Sequence, residues 1–112
     1  MSKLDDVKKI GVISDTHDQI ESIKRAAEIF TKEKVDLVIH CGDWCAPFSL
    51  VLVQELDCPV KTVFGNNDAD IFKHLGFAKK FDLDIEFMEN FGELEINSKK
   101  IAVFHGDPIE II

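Results

Sequence analysis

The sequence predicts an α/β domain, a parallel β-α-β-α-β unit followed by antiparallel strands. Three observations carry that prediction. Short apolar runs at residues 9–14, 36–40 and 59–64 alternate with two stretches of helical periodicity. The first run, Ile10 to Ile13, is continuously apolar, as expected of a strand covered on both faces. After Asp84 the pattern changes to apolar residues at strand spacing around a turn.

The elements follow in order. Residues 1–7 are polar and charged and are expected to form a loosely held lead-in. The first strand, 9–14, stops at Asp15, Thr16 and His17. Asp18 with Glu21 three positions on makes a capping box for a helix over 19–32, whose apolar stripe is Ile20, Ile23, Ala27 and Phe30. The second strand, 36–40, ends in Cys41, Gly42 and Asp43. Pro47 suits the first turn of a helix reaching residue 56. The third strand, 59–64, runs into Gly65, Asn66, Asn67 and Asp68. Residues 69–80 are expected to be short helix or irregular chain, broken at Gly76. Phe87, Phe91, Leu94 and Ile96 fit strands, 97–100 a turn, and Ile101 to Phe104 a last strand before His105, Gly106 and Asp107. This tail is expected to be an antiparallel meander. Right-handed crossovers in the parallel unit bring the polar loops together at the carboxyl edge of the sheet, where such sheets bind ligands.

The bulk numbers narrow the function. Residues 1–112 make one domain with enough chain for a core. A net charge of −8 argues against a nucleic-acid-binding surface and against an anionic membrane partner. No apolar run approaches the ~18–20 residues of a membrane span, and no export signal follows Met1. Cys41, Cys45 and Cys58 are odd in number and lack C-x-x-C spacing, so they are expected to be reduced thiols in a cytoplasmic protein. Phe72, Phe77, Phe81, Phe87 and Phe91 are expected in the core of the second sheet, not on a base-stacking platform. Trp44 either shapes a pocket or is core. His40 is expected to be structural or to stand behind a ligand, and His74, among charged residues, to be exposed.

Asp15 and His17 lie two apart at a strand end, where both side chains can point the same way. A carboxylate and an imidazole suit a divalent ion such as Mn, Fe, Zn or Ni. The alternative is that Asp15 caps a turn and His17 lies in a polar loop. Asp43, Asn66 and His105 occupy three further strand ends, each adjoining a glycine that lets the backbone turn sharply.

The ordered set D-x-H, G-D, G-N-x-D and H-G-D, from Lys9 to Pro108, resembles the calcineurin-like metallophosphoesterase superfamily, and within it the small single-domain phosphodiesterases of bacteria and archaea. The resemblance implies that this is the N-terminal part of a four-layer α/β/β/α sandwich with two divalent metal ions at the strand ends. It implies Asp15 and His17 on one ion, Asp43 bridging, and Asn66 and His105 on the other. Manganese is the expected metal, with nickel, iron, zinc or magnesium as alternatives. Asn67 and Asp68 are the candidate catalytic residues. The implied reaction is hydrolysis of a small-molecule phosphate ester, a phosphodiester before a monoester, by water activated between two metals. Two divalent ions would make the site locally positive in an acidic chain.

The sequence departs from the family pattern twice. Where many members have G-N-H-D, Asn67 replaces the histidine; it can hydrogen-bond a phosphate oxygen but cannot act as an imidazolium acid. The family's G-H-x-H, which completes the metal shells, has no match in the sequence. Three explanations stand: the N-terminal part of a longer protein whose remainder is a second fragment or is lost by cleavage, a short protein whose sheet and metal site are completed by a second copy, or a degenerate copy; the five retained candidate ligands favour the first two. A non-catalytic interaction scaffold on the same fold is the alternative function. An aspartyl phosphatase of the haloacid dehalogenase type would need a carboxylate where His17 stands, and a receiver domain would need its acidic pair after the first strand, not at Asp5 and Asp6.

Overall fold

The computed structural model describes residues 2–14, 20–42, 44, 50–64, 71–88 and 91–105. Chain order is β1 (Ser2–Leu4), β2 (Ile10–Ile13), α1 (Ile20–Glu33), β3 (Leu37–His40), α2 (Val51–Gln54), β4 (Val60–Thr62), α3 (Ile71–Lys80), β5 (Ile85–Phe87), β6 (Phe91–Ile96) and β7 (Lys99–Phe104). One sheet is parallel throughout, in the order β2-β3-β4-β5; the other is β1-β6-β7, with β1 parallel and β7 antiparallel to β6.

Alternation along β3 sorts the layers. Val38 packs with Ile23, Ala27, Leu50, Val53 and Val60 in a cluster that also receives Phe77, Ile85 and Phe87. Leu37 and Ile39 point the other way, to Val63, Leu94, Ile96 and Val103. Helices thus cover one face of the parallel sheet and the second sheet covers the other, giving helix, sheet and sheet layers. All four β3 residues are buried, and full burial of an aliphatic side chain contributes about 1.5–3 kcal/mol. Gly11 lets α1 approach β2: a Cβ there would lie 2.6 Å from the Phe30 ring.

Both long helices end in the same way. Val35 N–H donates to Phe30 O and Lys34 N–H to Thr31 O, with Lys34 at φ 53. Leu83 N–H and Asp82 N–H repeat the pattern on Ala78 O and Lys79 O, with Asp82 at φ 51. These are Schellman closures with a side-chain-bearing residue in the left-handed position that usually favours glycine. They return the chain to β3 and β5. The β6–β7 hairpin turns on Asn97 and Ser98, at φ 50 and 70, as a two-residue type I′ turn requires.

Four expectations change. The lead-in contains a strand, β1, because β6 offers it an edge: Ser2, Lys3 and Leu4 pair with Leu94, Glu95 and Ile96. The tail is not one meander; β5 adds to the parallel sheet beside β4, and only β6 and β7 are antiparallel. Gly76 does not break α3, since a helix pays only about 1 kcal/mol for an interior glycine. Phe77 and Phe87 pack on the helix side of the parallel sheet, while Phe81 and Phe91 are exposed; the Phe72 side chain lies outside the description. Among the described residues no helix is long and apolar enough to cross a membrane.

Candidate functional site

The parallel register sets Ile13, His40 and Thr62 side by side at the carboxyl ends of β2, β3 and β4. Pairing continues one residue further: Cys41 N–H donates to Ile13 O at 2.9 Å and Val63 N–H to His40 O at 3.2 Å. The described chain therefore arrives at one edge at Ser14, Gly42 and Phe64, whose successors in sequence are Asp15, Asp43 and Gly65. Asp15, His17, Asp43, Asn66, Asn67 and Asp68 lie outside the described residues, as does the proposed helix cap at Asp18. Among the described residues no three His, Cys, Asp or Glu side chains are grouped closely enough to hold an ion.

His105 is described. It is half-buried just after β7, with Nδ1 3.0 Å from Cys41 O. A carbonyl oxygen only accepts, so Nδ1 carries the hydrogen and Nε2 of the neutral ring keeps its lone pair. A backbone acceptor on one ring nitrogen is the arrangement by which proteins orient a metal-ligating histidine. The same bond fixes the end of the second sheet to the carboxyl edge of the first. The donor set of the sequence candidates, an imidazole with carboxylate and amide oxygens, is of the N/O kind that suits divalent ions.

His40 has the opposite tautomer. Its Nδ1 accepts the N–H of Gly42 at 3.0 Å. A backbone N–H only donates, so the hydrogen of the neutral ring sits on Nε2. The ring is fully buried and stacked on Trp44, with centroids 3.7 Å apart and planes 13° from parallel. Trp44 Nε1–H donates to Thr62 Oγ1 at 2.9 Å, and the Thr62 hydroxyl lies 2.9 Å from His40 O and 3.0 Å from Val63 O. Trp44 is thus core. Thr62 was not singled out from the sequence; a hydroxyl residue on the buried face of an apolar strand is the signal that could have found it.

His74 is fully buried, not exposed as its charged neighbours suggest. The reason is helical: it shares the inward face of α3 with Phe77, and Phe64 meets its ring edge-on at 5.6 Å. Phe64 in turn stacks on Phe87 at 5.0 Å. The last described residue before Gly65 therefore rests on an aromatic floor.

At the opposite edge of the sheet lies a cleft of about 290 Å³ lined by Phe30, Lys34, Asp36, Leu56, Asp57 and Cys58. Burial pushes the Cys58 thiol up, and Asp84, Asp36 and Asp57 push it further. That acidity makes the cleft a poor host for an anionic substrate.

Comparison with known proteins gives a consistent picture. The family model of the calcineurin-like phosphoesterase superfamily domain matches residues 9–111. A phosphodiesterase of Methanocaldococcus jannaschii is 36% identical over 98 residues, which are 88% of this chain and 58% of that protein. A protein of the same organism described as a probable metallophosphoesterase is 37% identical over 101 residues, 89% of this chain and 44% of that protein. Among solved structures, an archaeal phosphodiesterase superposes with a TM-score of 0.84 at 34% identity, covering 93% of this chain and 62% of the other. The chain therefore spans about half the length of the relatives it matches.

Proposed function

From the premise that this chain belongs to the calcineurin-like phosphoesterase superfamily, we propose that it carries the metal-binding part of a phosphoesterase acting on small-molecule phosphodiesters. The observation that supports this most directly is His105, whose Nδ1–H bond to Cys41 O holds the ring at the edge where β2, β3 and β4 end.

The family implies divalent metal ions. When bound, they supply the positive charge and the activated water that phosphoryl transfer needs. In this proposal Asp15, His17, Asp43, Asn66 and His105 hold two ions, manganese first. Asn67 orients the substrate by hydrogen-bonding a phosphate oxygen, and Asp68 helps fix that loop. Without an imidazolium at position 67, good leaving groups are favoured over poor ones. The location is cytoplasmic.

The test is turnover of a chromogenic phosphodiester by the chain loaded with Mn²⁺. Activity that is abolished by chelation and by Asp43→Asn supports the proposal. A loaded chain that binds Mn²⁺ but gives no turnover, alone or mixed with a family member's C-terminal fragment, overturns it. One observation favours the scaffold reading: an apolar recess of about 170 Å³ lined by Val12, Ile39, Cys41, Ile101, Val103 and Phe104. Val12 there is 64% exposed.

A further inference from the structure

The carboxyl end of β3 is held by a closed circuit of buried side chains. The His40 ring accepts from Gly42 N–H and stacks on Trp44. Trp44 donates to Thr62, and the Thr62 hydroxyl reaches back to the carbonyl of His40 itself. His40, Trp44 and Thr62 are all fully buried. Gly42 takes φ 103, a backbone conformation a side chain would strain. Residue 43 is Asp, covalently joined to Gly42 on one side and Trp44 on the other.

We infer that His40 is a positioning residue for Asp43: its imidazole fixes the Gly42 amide and, through the stacked indole, Trp44, the two residues to which the aspartate is joined. This rests on the reading of Asp43 as a metal ligand. Only a histidine meets both requirements. A phenyl ring would stack on the indole but could not accept from Gly42. An asparagine would place an acceptor oxygen near the Nδ1 position but could not stack. The neutral Nε2–H tautomer that the Gly42 bond imposes also keeps His40 from ligating the ion through Nδ1, which separates its role from that of His105.

The test compares the unsubstituted chain with His40→Phe and His40→Asn, reading Mn²⁺ affinity by calorimetry and the exchange rate of the Gly42 amide by NMR in metal-free protein. The expected result is faster Gly42 exchange and about a 10–100-fold loss of Mn²⁺ affinity in His40→Phe; in His40→Asn, which restores the acceptor but not the stack, Gly42 exchange should return to near normal and affinity only in part. A merely structural role would move thermal stability in both variants without this split. Unchanged Gly42 exchange or unchanged affinity in a folded His40→Phe overturns the inference. If His40→Phe does not fold, His40→Asn decides alone: near-normal Gly42 exchange with a partial loss of affinity supports the inference, and either fast exchange or unchanged affinity in the folded variant overturns it. If the unsubstituted chain binds no Mn²⁺, the metal-site reading is what fails, and Gly42 exchange still passes or fails the clamp itself.

Discussion

At the amino edge of the parallel sheet an exposed carboxylate ties β2 to β3: Asp36 Oδ2 accepts the N–H groups of Lys8 and Lys9 at 2.8 and 3.1 Å, while its own N–H donates to Lys9 O. At the carboxyl edge the corresponding fastening is a buried neutral imidazole and indole, with a threonine hydroxyl between strands β3 and β4. Both devices capture backbone groups that the strand ladder leaves over. They differ in what they exclude. The amino edge is open to water and tolerates ionised groups, which suits stability and solubility. The carboxyl edge is sealed beneath by His40, Trp44 and Thr62, all fully buried. The cleft at the amino edge reads as inert toward anions because of its acidity.

The comparison can be broken most severely at Trp44. Trp44→Ala removes a fully buried ring and should destabilise the fold by about 3–5 kcal/mol, measured by urea unfolding; a loss near zero would mean the carboxyl edge is not sealed. Thr62→Val keeps the shape but deprives the indole N–H of its acceptor, and should cost about 1–3 kcal/mol by the same measurement. At the amino edge, Lys34→Gly relieves the left-handed residue that ends α1 and should stabilise by about 0.5–1 kcal/mol, seen as a higher thermal midpoint. The smallest effect is at Asp36, whose carboxyl is held below its usual 3.8 chiefly by the Lys8 and Lys9 N–H groups. A lowered carboxyl pKa stabilises above the unfolded value, and that contribution fades as pH falls through the folded one. Asp36→Asn should therefore lose a little stability at pH 7, and the gap to the unsubstituted chain should close as the solution is acidified below pH 4.

The sequence made the parallel unit legible because β2 and β3 are short, largely apolar runs and each of the three strand regions gives way to polar residues. It placed His105 at a strand end for the same reason. Other features were not local. The apolar content of Ser2-Lys3-Leu4 is a single leucine, and its strand exists only because β6 is there to receive it. Nothing within Ile85–Phe87 says whether its partner is β4 or β6. His74 was misjudged from the lysines around it, although the spacing to Phe77 carried the better signal. The tautomers of His40 and His105 could not be read from sequence at all, since each is set by one backbone group contributed by the fold.

Asn97 has a consequence for the order in which the molecule is made. Its side chain accepts from Val7 N–H and donates to Val7 O, a pair of bonds spanning 90 residues of sequence. Beside it, β1 lies on β6. During synthesis at ~5–20 residues per second, β1 must wait roughly 5–18 s before its partner exists. The parallel sheet can assemble in that interval; β1 cannot join, so residues made before that sheet are placed after it.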